Sequence, residues 1–585
     1  MTRIQAFVEY LRKENNYRLL VVLLCLLHAA LISPAFFPSL SDIGVWDEAT
    51  YINEGRELIA GKLPLLAGNP LVAGMYALTY LPFHSATHWL VYSCWLGRMI
   101  LFVLLWLAAF CVAGEVSKLS KLASPFIIYS LFLISPVAVL LLTNGTDSTF
   151  TAMSSFALWQ FLAFQRTRQL SHLWLCSLFL GLAELSRNEG TVLFAIMFCL
   201  AMIICVANRL VIKGVIAAIV PFAAIVLGYV SLYGLTTGHF ETGTSNRSYI
   251  AFEMGHATSL AGQLSVDGQI ESRRIFGTAE ENNHSVLRAI RRNPTVFAKR
   301  IIPMAKIGAQ DAFSAYGWYL GLFAIFFAVR GALDLAYRRN FLVLATLLLW
   351  PAYCVLYILL IGQRSHWNMS FLCLFGLAAI GVAAFVENLR SRRERYVWSA
   401  IILLLILVSL SRLTIPNAPA AVMFGLLAGL WIIWVAADIL AADPRAPVFA
   451  FLSLLSLAVL LGPGIPHSEA RAIGTLPDER GVAFLRERFA PGTHVAAWGP
   501  GRIWAAKLEP VTMVLELRSI KTREDLFQWM DRENVQAIYV EEFLRKYEPG
   551  LWDVIQKQIG NGLSVAFDDG QGAVQVQVLV RTPGS

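Results

Sequence analysis

Long apolar runs dominate this chain, and its polar residues fall in short clusters between them. Runs near 20 residues recur from Leu19 to about Ile465, each long enough to cross a bilayer as a helix. Their approximate limits are 19–38, 98–116, 123–143, 149–165, 173–187, 190–208, 214–236, 316–336, 341–361, 368–387, 397–412, 420–440 and 447–464. That makes about 13 spans by the ~20-residue criterion. The run at 173–187 is short and reads as a tilted or broken helix. From about Pro466 the pattern becomes that of a soluble fold. It predicts helix over 481–489, strand over 494–498, a T-x-x-D cap at Thr522 before an amphipathic helix to Glu533, strand over 535–540, mostly helix over 541–559, and a half-buried strand over 574–580. The expected architecture is a polytopic α-helical membrane domain over residues 1–465, with outer loops 39–97 and 237–315, followed by a small α/β domain over 466–585.

Composition agrees. Of 585 residues, 57% are hydrophobic and 15% charged, with mean hydropathy +0.60; a soluble chain of this length carries more charge. The net charge of +8 does not imply nucleic acid, because most basic residues sit in short loops where membrane topology accounts for them. The eight cysteines lie almost all within apolar runs, and none is in the tail. They form neither a disulfide framework nor a CxxC zinc signature. The first apolar run lacks an obvious cleavage site and reads as a retained span.

Loop charge orients the spans. Arg3, Arg12, Lys13 and Arg18 precede the first. Alternate short loops then carry Lys118 and Lys121, Arg166 and Arg168, Arg209 and Lys213, Arg338 and Arg339, and Arg390 to Arg395. Those loops are expected in the cytoplasm, with the N-terminus, and the tail outside. Under this topology Trp46-Asp47-Glu48, Asn144-Gly-Thr-Asp147, Arg187-Asn-Glu-Gly190, the 237–315 segment and Gln363-Arg364-Ser-His366-Trp367 share the outer face.

Each cluster also has a purely structural explanation. Asp47 precedes a helical stretch, Glu48 to Ala60, that ends at Gly61, so the two acids suit a helix start. Tyr51, Ile52, Leu58 and Ile59 form an apolar face that suits a membrane surface. Asp147 suits a turn that caps the next helix, Arg187 and Glu189 suit a mutual ion pair, Arg98 suits a snorkelling position, and His366 suits an interfacial hydrogen bond. Taken together, outward carboxylates beside outward arginines fit transfer from a phosphate leaving group. A carboxylate removes the proton of an attacking hydroxyl or amine. Arginine binds phosphate through two parallel hydrogen bonds and stabilises the departing charge. Alternatively, the acids share a divalent metal ion with the phosphate.

The ordered set Asp47-Glu48, Asp147 and Leu185-Ser-Arg-Asn-Glu-Gly190, with Arg364 and the segment Arg292 to Arg300, resembles GT-C glycosyltransferases over residues 1–370. It is most similar to the bacterial relatives of protein O-mannosyltransferases and the lipid A aminoarabinose transferase, a glycosyltransferase family 39-like group. The resemblance implies an inverting transferase that takes a sugar from a polyprenyl-phosphate donor to a glycan, lipid or protein acceptor. It implies Asp47 as general base, with Glu48 supporting it or helping to bind acceptor or metal. It implies Asp147 as the second-loop acid that orients substrate or metal, and Arg98, Arg187 and Arg364 as ligands of the lipid phosphate. Glu189, His366 and Tyr51 complete the substrate-binding candidates. Asp47, Glu48 and Asp147 are the metal candidates, with metal use left open. The expected location is a bacterial inner membrane.

Residues 237–315 hold several acids and histidines but no HExxH or compact metal spacing, and they read as a solvated, partly helical loop. Trp498-Gly-Pro-Gly-Arg502 reads as a strand-to-helix turn. The tail is expected to pack on the outer loops or to recognise the acceptor. Two other function classes compete: a transporter or flippase for a lipid-linked or anionic substrate, and a membrane scaffold. Transporter sites lie near the midplane between repeated halves, whereas no clear repeat is visible here and the acids gather at one rim.

Overall fold

The fold is that of a computed structural model. It describes residues 43, 47–63, 69–120, 145–238, 240, 245–261, 266–279, 281–283, 285–319, 321–360, scattered positions between 373 and 384, 477–512, 520–570 and 575–582. Along the chain run α1 (Asp47–Ile59), α2 (Pro70–Tyr80), α3 (Trp89–Ser120), α4 (Gly145–Thr167), α5 (Leu170–Glu184), α6 (Glu189–Ala207), α7 (Val211–Thr237), α8 (Ser245–Ala261), α9 (Val266–Phe276), α10 (Val286–Arg292), α11 (Pro294–Tyr319), α12 (Gly321–Tyr337) and α13 (Phe341–Leu360). The tail adds α14 (Pro477–Arg488), β1 (His494–Ala497), α15 (Gly501–Ala505), β2 (Glu509–Thr512), α16 (Arg523–Arg532), β3 (Ala537–Val540), α17 (Glu542–Tyr547), α18 (Pro549–Gln556), β4 (Leu563–Asp569) and β5 (Val576–Arg581). Three of the described helices are long and apolar enough to cross a membrane, over Trp89–Val116, Glu189–Ala207 and Val211–Thr236. The runs at 19–38, 123–143, 397–412, 420–440 and 447–464 lie outside the described residues, as do Arg364 and His366.

The chain divides into two compact units. One comprises Met1–Ile32, Gly68–Leu71 and Ile100–Pro466. Here α4 packs on α5, and α5 packs on both α6 and α7. Polar side chains bind the helices where burial would otherwise strand them. Gln165 donates to Thr346 across α4 and α13 at 2.6 Å. Arg166 grips Glu115 through Nε and Nη2, at 2.8 and 3.2 Å, tying the ends of α3 and α4. Pro221 sits inside α7, where its ring and missing N–H disturb the hydrogen-bond ladder. Ser177 of α5 fills the opening beside it: its hydroxyl donates to the Ala218 carbonyl and accepts from the Phe222 N–H. A freed backbone group in an apolar setting needs such a partner. Three tight helix-to-helix turns place arginines, Arg168, Arg209 and Arg339, in the left-handed region at φ 61, 57 and 56°. Glycine is the cheaper residue there, so these loops keep their positive charge at a conformational cost.

The segment read as a solvated loop has its own core in the same unit. Tyr249, Phe252, Phe276, Ala289 and Phe297 of α8 to α11 pack together. The Arg300 guanidinium lies 4.5 Å from the Phe252 ring centre, and burial pushes its pKa down to about 10. His256 is buried edge-on to Phe276. Burial pushes its pKa down to about 4, assisted by Arg300 and opposed by Glu271.

The second unit comprises Ser33–Ala67, Val72–Met99 and His467–Ser585, so the first outer segment groups with the tail. Its sheet has the order β2-β1-β3-β5-β4. β1 pairs in parallel with β2 and β3, and β5 pairs antiparallel with β3 and β4. Side chains alternate across a strand, and here both faces are covered. Ala496, Ile538, Val540 and Leu579 point to a core closed by Leu526, Trp529 and Met530 of α16 and by Leu551 and Ile555 of α18. Val495, Ala497, Ala537, Tyr539, Val576 and Val578 point to a core shared with Ile43, Ala49, Tyr51, Ile52, Tyr76, Trp89 and Val91. Tyr51 and Ile52 thus face a protein core and not a membrane surface, which corrects that expectation; only Ile59 of that set is well exposed.

Because His256 stays neutral in the fold, its unfolded form takes up a proton first as pH falls below about 6.5. Stability of residues 245–300 is therefore expected to drop by up to about 3 kcal/mol between pH 6.5 and pH 4. His256→Leu should lose that part of the pH dependence, as read by rate-corrected hydrogen exchange in α8 and α9.

Candidate functional site

In the second unit the site is built on the start of α1. Asp47 opens the helix, and its side chain lies outside the described residues. The helix ends in a tight cap: Lys62 N–H reaches the Glu57 carbonyl at 2.9 Å and Gly61 N–H the Leu58 carbonyl at 3.0 Å, with Gly61 at φ 79°. This left-handed closure is the glycine C-cap that the sequence predicts. Glu48, one residue into the helix, is 3% exposed. Its Oε2 accepts from Arg98 Nη2 at 2.7 Å and its Oε1 from the Tyr76 hydroxyl at 2.8 Å. A buried carboxylate is tolerated only when paired and hydrogen-bonded in this way.

Close helix crossings make the arrangement possible. A Cβ on Gly55 would meet Ala77 N at 2.5 Å, so α1 and α2 touch at backbone distance. A Cβ on Gly97 would meet the Tyr76 ring at 2.6 Å, so α3 leaves that ring its space. Arg98 comes from α3, two turns after Trp89, whose own ring lies under Arg56 at 5.6 Å. Arg98 Nε has no hydrogen-bond partner among the described residues. Asn53 and Glu54 are also buried in α1. The sequence reading missed Tyr76, one of many aromatics in an apolar stretch. The 28-residue gap to Glu48 carries no local signal.

The first unit holds a second cluster. Asp147 lies in the first turn of α4, where Gly145 to Ala152 are all buried. Thr149 and Thr151 turn their hydroxyls back to the carbonyls of Gly145 and Asp147 at 2.7 and 2.6 Å, which leaves the Asp147 carboxylate to other partners. Arg187, between α5 and α6, pairs through Nη1 with Asp147. Its Nη2 and Nε meet the two oxygens of Glu189 at 3.1 and 3.3 Å. The turn is held from behind by Glu184, whose carboxylate accepts the Thr191 N–H at 2.6 Å and so caps the start of α6. Gly190 is required there, since a Cβ would lie 2.4 Å from Glu184 N. Glu184 was not among the sequence candidates, because it sits inside an apolar run.

The structure therefore joins Glu48 with Arg98, and Asp147 with Arg187 and Glu189. Tyr51 is buried in the core that α1 shares with the sheet. Among the described residues no three His, Cys, Asp or Glu side chains converge as metal ligands. Of the metal candidates, Glu48 has both oxygens engaged by Arg98 and Tyr76, and Asp147 is engaged by Arg187. Two carboxylates so engaged by cationic and hydroxyl partners do not fit a divalent cation.

No family model and no curated protein matches the chain. Solved structures do. ArnT from Cupriavidus metallidurans, solved bound to undecaprenyl phosphate, aligns over 97% of this chain and 98% of its own, at 12% identity and a TM-score of 0.53. Archaeal AglB from Archaeoglobus fulgidus, an oligosaccharyltransferase in complex with an inhibitory peptide and a dolichol-phosphate, aligns over 97% of this chain and 74% of its own, at 12% identity and a TM-score of 0.50. The apo form of an Archaeoglobus fulgidus oligosaccharyltransferase gives 14% identity, a TM-score of 0.50, and coverage of 92% and 71%. The chain has the GT-C fold. At 12–14% identity the likeness speaks for the fold alone.

Removing Arg98 leaves Glu48 as an uncompensated buried charge. Arg98→Leu is expected to cost about 3–5 kcal/mol, against about 1.5–3 kcal/mol for the charged hydrogen bond lost in Tyr76→Phe. Thermal unfolding of both variants in detergent checks the order. A larger loss from Tyr76→Phe would show that Arg98 is not the main counter-charge.

Proposed function

We propose that this chain is an integral membrane glycosyltransferase. It moves a sugar from a polyprenyl-phosphate donor to a glycan, lipid or protein acceptor on the extracytoplasmic face, with inversion, in a bacterial inner membrane. The observation that carries the reading is the buried Glu48–Arg98–Tyr76 arrangement at the start of α1, in a fold shared with a protein solved on undecaprenyl phosphate. A helix start fixed this firmly suits a neighbouring acid that must meet an acceptor in one geometry.

Asp47 is the general base in this reading. Its carboxylate takes the proton of the acceptor hydroxyl or amine as the acceptor heteroatom bonds to the anomeric carbon. The bond from that carbon to the phosphate oxygen breaks on the opposite side, and its electron pair leaves with the polyprenyl phosphate. Attack opposite the leaving group inverts the anomeric centre. Glu48 is a positioning residue, since both its oxygens are occupied. Arg98 offers the departing phosphate its Nε–H and its charge, which stabilises the anion where it develops. Asp147, Arg187 and Glu189 form a substrate-orienting cluster, and Arg364 and His366 remain candidates for the lipid phosphate and the acceptor.

Asp47→Asn is expected to lower transfer by about 10²–10⁴-fold, the usual worth of a general base, with normal accumulation of the protein. Mass spectrometry of envelope glycolipids and glycans checks this, comparing a deletion strain with the same strain carrying either chain. Full restoration of the missing product by the Asp47→Asn chain would remove Asp47 as base.

A further inference from the structure

The tail contributes more than a neighbouring domain would. One face of its sheet is closed by residues of the first outer segment, including Ala49, Tyr51 and Ile52 of α1. They share the cover of Val495, Ala497 and Tyr539 with Val482, Leu485 and Ile503 of the tail itself, so removing them would expose part of an apolar face. The contact narrows to one point beside the proposed base. A Cβ on Gly501, in the Trp498-Gly-Pro-Gly-Arg502 turn, would lie 2.8 Å from the Ala49 methyl. Real Cβ atoms do not approach that closely, so only glycine lets the turn rest on α1 without moving it. Ala49 follows Glu48 directly and lies two residues from Asp47.

The turn is itself clamped. Arg502 is 4% exposed. It pairs through Nη2 with Asp478 of α14 at 2.9 Å and through Nη1 with Glu541, after β3, at 2.5 Å. The Tyr539 hydroxyl donates to Asp478 Oδ1 at 3.2 Å. Arg502 therefore ties the start of α15 to two other elements of the tail, and a buried pair of this kind fixes geometry more than it adds stability.

We infer that the Gly-Pro-Gly turn, seated by Arg502, is a positioning element of the transferase site: it sets where the first turn of α1 holds Asp47 and Glu48. The inference rests on the reading of Asp47 as base. It assigns the tail a part in setting the rate of transfer, distinct from acceptor recognition. Gly501 and Ala49 are the positioning residues at the contact.

The test exchanges one methyl group across the contact. Gly501→Ala is expected to lower product formation at least about tenfold, since angstrom-scale displacement of a catalytic group costs up to about 100-fold. It should also speed hydrogen exchange at the amides of α1. Adding Ala49→Gly in the same chain removes the opposing methyl and should restore both readouts to within about twofold of the parent, despite the lower helix propensity of glycine. The inference is overturned if Gly501→Ala leaves either readout unchanged, or if the double variant fails to recover them. Where Gly501→Ala does not accumulate, recovery of accumulation and product by the double variant supports it, and failure of that recovery overturns it. Exchange in α1 does not depend on chemistry. An active Asp47→Asn chain would therefore remove Asp47 as base while the exchange data still judge the contact.

Discussion

A single carboxylate organises the first outer segment. Glu48 is buried, and an ionised carboxylate leaves water only if its environment supplies both charge and hydrogen bonds. Arg98 provides the charge, and Tyr76 occupies the second oxygen. The three residues come from three helices, so satisfying Glu48 fixes α1 against α2 and α3 together. The glycines at 55 and 97 suit this arrangement: Gly55 lets α1 and α2 touch at backbone distance, and Gly97 leaves room for the Tyr76 ring. Arg98 also lies on the continuous helix that runs on to Ser120.

The second consequence concerns the sheet. Strands β1 and β3 carry unbroken apolar runs, Val495 to Ala497 and Ala537 to Val540, and β3 is buried throughout. Such runs belong to strands covered on both faces. The tail supplies α16 and α18 for one face, while the other is shared between its own residues and residues 43–94. A boundary drawn at the change in composition near residue 466 marks where apolar runs stop. It does not mark where the folded body begins, because that body takes its remaining cover from far upstream in the sequence.

What the sequence revealed follows the range of the interactions. Hydrophobic length placed α4 to α7 and α13 within a few residues, since each helix buries or exposes a continuous apolar surface regardless of its partners. Gly61 and the Thr522–Asp525 capping box were legible because caps are local. Strands β2 and β4 were not anticipated. Glu509-Pro-Val-Thr is a four-residue edge containing proline, and β4 carries an irregularity between Val565 and Phe567 that breaks its alternation. In the site, charge beside apolar runs singled out Glu48, Arg98, Asp147, Arg187 and Glu189, yet of their pairings only Arg187 with Glu189 was legible. Tyr76 carries no charge and Glu184 sits inside a run, so both escaped. The aromatic core of residues 245–300 was hidden by the charges around it, because a core of five side chains leaves the mean composition polar.

The two arginine clusters are not equivalent as anion sites, and the difference lies in their charge balance. Arg187 is shared between Asp147 and Glu189, so the group of three carries a net negative charge when ionised. A phosphate would have to displace a carboxylate that already satisfies the guanidinium, and the released carboxylate would be left buried. Among the described residues Arg98 faces one carboxylate through one nitrogen, and its Nε has no hydrogen-bond partner. An anion bonded to this buried Nε–H would satisfy an unpartnered donor without displacing Glu48. Under the transferase reading this ranks Arg98 ahead of Arg187 as the group that receives the lipid phosphate. It leaves the Asp147 cluster better suited to hydroxyl groups, which carboxylates accept and arginine donates to without any exchange of charge.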